Sequence, residues 1–478
     1  MTTKNLAQTL AAYATVDSAQ VDSLFDKAFA KISSKIIVLD DDPTGVQTVH
    51  GVSVYTDWTE TSIRAGFEEE SQMFFILTNS RAFTAQETKD VHAEIAERIE
   101  KISKLTDTPY LLISRGDSTL RGHYPLETAT LRETIEKQGT TKIDGEILLP
   151  FFEQGGRLTV DDIHYVVQGE EMIPAGETEF AKDRTFGYQA SHLGDYIEEK
   201  TAGAFPKEQT VSITLEEIRA LSTESMVTKL MGVHDFQKVV VNALTEQDVK
   251  IFSIALLEAL AQGKQFLYRT AATFTKVIGN ISSRPLLTAE ELTDASSSHG
   301  GLIMVGSHVQ KTTQQLDALR SLNELAFIEL DAHLVQDAAI FAQEVERART
   351  VAETFVANGK TAVVYTKRER LDLGPGMEEE ELKLSVRISE AVTSIVHDFA
   401  HTPRYLIAKG GITSSDIGTR GLEVKRATVA GQVAPGVPVW TTGEESRFPH
   451  LPYIIFPGNV GSVETLKDVV QMLETHVN

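Results

Sequence analysis

Residues 36–45, Ile36-Ile37-Val38-Leu39-Asp40-Asp41-Asp42-Pro43-Thr44-Gly45, put the tightest limit on what this chain can fold into. Four consecutive apolar residues, mostly β-branched, read as a buried strand. The run stops at three carboxylates. Pro43 has no N–H for a sheet ladder and Gly45 permits a positive φ, so the chain turns there. In an open parallel α/β sheet, ligands collect outside the carboxyl ends of the strands. Three acids at that place repel one another, and a cation, a proton or a hydroxyl-bearing ligand relieves the repulsion. The competing reading is an ordinary acidic turn.

At 478 residues the chain is too long for one core, so two or more domains are expected. A net charge of −23 argues against nucleic acid and anionic membranes as partners. It leaves room for a small anionic substrate, because local arginines still make a positive pocket. There is no cysteine, hence no disulfide and no thiolate chemistry. The N-terminus lacks the basic start and apolar core of a signal peptide, and no apolar run is long enough to cross a bilayer. The expected location is the cytoplasm, as a monomer or a homo-oligomer.

Residues 1–33 read as a helical N-terminal extension, with Val21, Leu24, Phe25, Ala28, Phe29 and Ile32 at helical spacing. Short apolar runs then alternate with helical patterns. Strands are expected at Val52–Tyr55, Met73–Leu77, Tyr110–Ile113, Gly145–Leu149 and Lys238–Val241, with helices at Glu87–Leu105 and Pro125–Lys137. The stretch 150–210 reads as loops or a short hairpin beside the main sheet. Residues 281–300, rich in Ser, Thr and Ala, form the best linker. A second alternation follows at Leu302–Val305, Ala326–Leu330, Thr361–Tyr365, Tyr405–Ala408, Val437–Trp440 and Tyr453–Phe456. The expected class is α/β, with two domains, 34–294 and 295–478, each a mainly parallel sheet flanked by helices.

Two further segments of the first domain share the form of the opening strand. Met73–Leu77 runs into Thr78-Asn79-Ser80-Arg81, and Tyr110–Ile113 runs into Ser114-Arg115-Gly116-Asp117-Ser118-Thr119-Leu120-Arg121-Gly122. Three strands ending in polar clusters on one sheet edge define one pocket. Arg81, Arg115 and Arg121 suit a carboxylate or a phosphate, since guanidinium offers a planar fork. Asp42 and Asp117 can accept hydrogen bonds from substrate hydroxyls. The chemistry implied is recognition of a small polyhydroxy acid, although an arginine taken alone more often makes a surface salt bridge.

In the second domain, Leu302–Val305 enters Gly306-Ser307-His308, a strand-to-helix turn of the kind that binds phosphate. Tyr405–Ala408 enters Lys409-Gly410-Gly411-Ile412-Thr413, and Tyr453–Phe456 enters Pro457-Gly458-Asn459-Val460-Gly461. One glycine turn is only a turn, but three after strands look like the cradle of a nucleotide. His397 and His401 have the spacing of a metal pair, yet they stand before Pro403 with no third ligand near, and read as structural.

Taken together, these motifs resemble the four-carbon acid sugar kinases. Asp41 to Gly45 matches their Asp-Asp-x-Thr-Gly motif, and Asp117 to Gly122 matches Asp-Ser-Thr-Leu-Arg-Gly without change. Gly156-Arg157-Leu158-Thr159 is similar to a further family segment. In the second half, Gly306-Ser307 with Gln310 to Gln315, Gly410 to Thr413, and Gly458 to Gly461 match the nucleotide domain. The extension before residue 34 is additional. Arg115 stands where many members carry lysine, and the last glycine loop begins Phe456-Pro457 rather than Lys-Ser.

The resemblance implies ATP-dependent phosphorylation of the terminal hydroxyl of a tetronate such as threonate, erythronate or 3-oxotetronate, in a cleft between the two domains. It implies Asp42 as the base, with Asp117 as hydroxyl ligand or alternative base. Asp41, Arg81, Arg115, Ser118, Thr119 and Arg121 are the candidate substrate-binding residues, Arg81 and Arg121 holding the carboxylate. Ser307, Gly410, Gly411, Ile412, Thr413 and Gly458 are the candidate nucleotide-binding residues. Mg²⁺ is expected with ATP, its ligands unnamed. Two rivals remain. A haloacid-dehalogenase-type phosphatase would use Asp40 as nucleophile and Asp42 as acid. A non-catalytic sensor would bind the sugar acid without turnover.

Overall fold

The computed structural model describes residues 2–138, 141–294, 296–369, 371 and 378–475. The chain forms two compact units, Met1–Ser282 and Ser283–Asn478. The division falls earlier than the expected 294/295 boundary, and Ala295 itself lies outside the described residues. The reason is local. Arg284 donates to the carbonyl of Ala430 at 2.7 Å and the Leu287 N–H to that of Gln432 at 2.8 Å, so this stretch is fastened to the second unit.

The first unit is built on eight parallel strands. From one edge to the other they are Val211–Ile213, Gln237–Val241, Gly145–Leu149, Phe266–Thr270, Tyr110–Arg115, Lys35–Asp40, Met73–Leu77 and Ser53–Tyr55. Every residue of Lys35–Asp40 is buried, as an apolar run in a doubly covered sheet must be. Ile37, Leu39, Phe74, Ile76 and Leu112 pack against Ile95, Ile99, Leu131 and Ile135 of the helices Ala85–Thr106 and Leu126–Gln138. Each such side chain contributes about 1.5–3 kcal/mol on burial.

The expected strands and helices recur with shifts of a residue or two at their ends. Phe266–Thr270, absent from the expectations, sits in the middle of the sheet between Gly145–Leu149 and Tyr110–Arg115. The stretch 150–210 carries Arg157–Val160, Ile163–Gln168 and Glu171–Pro174, an antiparallel meander that is more ordered than a loop set. The N-terminal extension is not wholly helical. Lys4 and Asn5 pair with Met172 and Glu171 as an added strand, and the helix Ser18–Phe29 buries Val21, Phe25 and Ala28 against Glu246–Ala261.

In the second unit Pro452–Phe456, Leu406–Lys409, Leu302–Val305, Ala362–Thr366 and Ala326–Leu330 run parallel. An antiparallel pair, Arg426–Ala434 and Val437–Thr442, extends the Pro452–Phe456 edge. Ile303, Val305, Val363, Ile407 and Ile454 pack with Leu316, Leu466, Val470 and Leu473. Among the described residues, no helix is long and apolar enough to cross a membrane.

Candidate active site

In the first unit, Asp40, Leu77, Arg115 and Thr270 stand level at the carboxyl ends of four adjacent strands. The loops after them therefore meet at one edge. Gly45 lets the acidic turn fold back onto its own strand, since a β-carbon there would lie 1.9 Å from the Asp40 carboxylate. Asn79, in a left-handed turn at φ 56°, swings Arg81 over the acids.

Arg81 is the hub. Its Nε lies 3.1 Å from Asp41 Oδ2, its Nη2 3.0 Å from Asp42 Oδ2 and its Nη1 3.8 Å from Asp117 Oδ1. Arg121 Nε donates to Asp117 Oδ2 at 2.8 Å, and its Nη1 lies 3.7 Å from Asp183. Beneath them Arg115 pairs with Asp40 at 3.2 Å and Asp41 at 3.5 Å. The protein's own arginines thus relieve part of the mutual repulsion expected of three neighbouring acids.

Burial divides the carboxylates into two kinds. The side chains of Asp40 and Asp41 are 2% exposed, against 22% for Asp42 and 13% for Asp117. Burial, reinforced by the two neighbouring acids and only partly countered by Arg115, pushes the Asp40 carboxyl up to about 7. Burial likewise raises Asp41 in spite of Arg81 and Arg115. For Asp42 burial is outweighed by Arg81 and two hydrogen bonds from Thr44, which hold its carboxyl below the usual range. For Asp117 burial is outweighed more strongly, by Arg81, Arg121 and Thr119.

Of the expected substrate ligands, Arg81, Arg121, Asp42 and Asp117 are partly exposed at this edge. Asp41, Arg115 and Thr119 are buried beneath it, and Ser118 nearly so. Asp41 and Arg115 face one another, and Thr119 faces Asp117. They shape the floor rather than its surface. The geometry also disfavours Asp40 as a phosphatase nucleophile, because it is buried, ion-paired and covered by Gly45.

Several residues that sequence reasoning passed over hold the Asp117–Gly122 loop. His164 bonds the Ser118 carbonyl at 2.8 Å, Tyr188 donates to that of Thr119 at 2.7 Å and Tyr196 to that of Leu120 at 2.9 Å. Burial lowers His164 to about 4, so the ring is neutral near pH 7, donating through Nε2 and accepting from Thr159 through Nδ1. Leu120 itself has φ 68°, a conformation that needs such support. Arg269 packs against the same loop, paired with Glu127 and with Ser114 at 3.0 Å. A β-carbon on Gly116 would stand 2.3 Å from its guanidinium. Its only signal was an arginine near the end of an apolar run, the form already seen at Arg81 and Arg115.

In the second unit, Ser307, Gly410, Gly411, Ile412 and Thr413 line one pocket of about 330 Å³. Gly410 has φ 129°, and a β-carbon on it would stand 2.9 Å from that of Ser307. Gly411 faces open space. Gly458 lies beside Ser307, its own β-position 3.1 Å from Ser307 Oγ. Lys409 is buried below, donating to the carbonyls of Pro457 and Gly458 and lying 4.2 Å over the Phe456 ring. Burial and then Lys311 lower its pKa to about 7. Away from the pocket, His397 ends a helix beside Asp398. Among the described residues no group of three or more His, Asp or Glu side chains gathers as a metal site.

Comparison with known proteins decides the family. Residues 36–278 match the model of a sugar-binding N-terminal domain, and residues 302–466 that of a nucleotide-binding C-terminal domain. The chain belongs to the four-carbon acid sugar kinase family. A D-erythronate kinase of Heliobacterium modesticaldum is 23% identical over 326 residues, and the match spans 66% of each chain, just under two thirds. Two solved structures share the family's fold at 16% identity. One, from Haemophilus influenzae, has a TM-score of 0.61 and is matched over 91% of this chain and 100% of its own. The other, from Salmonella typhimurium LT2 and provisionally named a tRNA synthase, has a TM-score of 0.66 over 91% and 98%. At that identity they speak for the fold alone. Within the family's two domains, the polar sheet edge falls in the sugar-binding part and the glycine-lined pocket in the nucleotide-binding part.

Proposed function

We propose that this protein is an ATP-dependent kinase that phosphorylates the terminal hydroxyl of a four-carbon acid sugar: threonate, erythronate or 3-oxotetronate. The observation that carries the reading is the accessible Asp42 carboxylate in an arginine-rich edge of the sugar-binding domain. The erythronate kinase relative supports the substrate class. Phosphoryl transfer asks little covalent chemistry of a protein; it asks for positioning, charge neutralisation and an oriented hydroxyl.

In this reading Asp42 accepts the proton of the attacking hydroxyl. Arg81 and Thr44 hold it ionised and aimed. Asp117 receives a second substrate hydroxyl and is kept anionic by Arg81 and Arg121. Ser307, Gly410 to Thr413 and Gly458 surround the ATP phosphates, with the exposed Ile412 offering an apolar surface beside them. The described residues provide no cage of three acidic or histidine ligands for Mg²⁺. An ion carried on the ATP phosphates needs only one or two protein carboxylates.

A panel of C4 sugar acids offered with ATP, read out as ADP formation, tests the proposal. Turnover confined to tetronates supports it. Phosphate release from sugar phosphates without ATP favours the phosphatase, and tight tetronate binding without ADP formation favours the sensor.

A further inference from the structure

Four arginines of the sugar-binding edge are already committed. Arg81 faces three carboxylates, Arg115 and Arg121 two each, and Arg269 is paired with Glu127. Arg157 is not. It opens the strand Arg157–Val160 after the Gly155-Gly156 turn, where the left-handed Gly156 lets Phe152 and Arg157 exchange backbone hydrogen bonds at 3.0 and 2.9 Å. Its guanidinium packs over the Phe180 ring at 5.5 Å, on the same ring that Arg121 covers at 5.2 Å. It feels the charges of both Asp117 and Arg121. Yet its buried Nε has no hydrogen-bond partner, and among the described residues no carboxylate lies within salt-bridge distance of it.

A half-buried guanidinium without a counter-ion is costly to keep, and a fold retains one where a ligand supplies the missing charge. The neighbouring arginines already share their charge with aspartates, and Arg157 does not. We propose that Arg157, rather than Arg81 or Arg121, takes the carboxylate of the acid sugar. It is thereby the residue that distinguishes a sugar acid from a neutral polyol. The planar fork of arginine suits a carboxylate in two-point contact, and the Phe180 ring packs against it. This inference rests on the proposed acid-sugar reading of the same site.

The test is calorimetric titration of the full-length protein with threonate and erythronate and with neutral threitol and erythritol, in wild type, Arg157→Gln, Arg157→Lys and Arg121→Gln. Arg157→Gln is expected to weaken tetronate binding about 10- to 100-fold, as for a lost charge-assisted contact. Tetritol and ATP binding should stay unchanged. Arg157→Lys should recover part of the loss, and in turnover assays KM for the acid should rise with little change in kcat. Unchanged tetronate affinity in Arg157→Gln overturns the proposal, as does an equal loss for acid and tetritol, the mark of a structural role. So does a wild type that prefers neither, or a larger loss in Arg121→Gln. If Arg157→Gln does not fold, Arg157→Lys carries the comparison, and an unchanged acid affinity there overturns it equally. Failure of the kinase reading shows separately, as absent ADP formation, while the binding arm still judges Arg157.

Discussion

Arg81 Nη2 lies 3.0 Å from Asp42 Oδ2 and its Nη1 3.8 Å from Asp117 Oδ1, so one guanidinium spans the two accessible carboxylates of the sugar-binding edge. That bridge lets both stay ionised side by side. It also makes Asp42 and Asp117 separable by mutation, because each keeps other partners, Thr44 for one and Arg121 with Thr119 for the other.

Asp42→Asn keeps the shape and the acceptor that Thr44 uses, but removes the base. Turnover should fall by about 10²–10⁴, the usual contribution of a positioned general base. Tetronate affinity should hold, and the melting temperature should fall only modestly, by the loss of the part-exposed Arg81 ion pair. Near-normal kcat in a steady-state assay would shift the role of base to Asp117.

Asp40 links stability to pH. Its carboxyl is raised to about 7 in the fold, above the value of about 3.9 in an unfolded chain. Between these limits the unfolded state has released a proton that the folded state keeps, so the favourable contribution is full at low pH and is lost as pH rises toward 7. Asp40→Asn is a permanently neutral mimic. Melting temperatures of wild type and variant at several values from pH 4.5 to 7.5 should diverge, the wild type losing ground as pH rises. Parallel curves would mean that Asp40 is ionised throughout.

Gly410 and Gly411 are adjacent but should behave differently. Gly410 sits at φ 129°, where a side chain costs about 1–3 kcal/mol, and its β-position crowds Ser307. Gly410→Ala should lower the melting temperature and weaken ATP binding about tenfold or more. Gly411→Ala should leave the melting temperature unchanged, since nothing lies within 4 Å of its β-position. Calorimetry with ATP on both variants checks the pair, and equal stability losses would contradict the geometry.

The three bonds to the carbonyls of Ser118, Thr119 and Leu120 act on one loop. Tyr188→Phe and Tyr196→Phe should each cost about 1 kcal/mol of stability, as for a buried hydrogen bond. KM for the acid sugar should rise while KM for ATP stays level. A change in the ATP constant alone would show that the loop does not serve the sugar.

The loops after Leu39, Leu77 and Ile113 were legible along the chain because their chemistry is local. An apolar β-branched run must be buried, and charges, proline and glycine directly after it must lie at a sheet edge. Asp117 to Gly122 and Gly410 to Thr413 were found in the same way. The strand Phe266–Thr270 was overlooked because Arg269 interrupts its apolar pattern. Its partner Glu127 is 142 residues away, and only folding brings the two together. Separations of 46 to 76 residues likewise hid the support that His164, Tyr188 and Tyr196 give to the Asp117 loop. Local sequence thus set which groups reach the edge. Which arginines pair with aspartates, and that Arg157 has no such partner among the described residues, was decided by tertiary structure, because the pairing of charges depends on contacts between segments far apart in the chain. Arg81 and Arg157 look equally available when read in sequence. The fold gives the first three carboxylates and leaves the second with an aromatic ring and an unmatched charge.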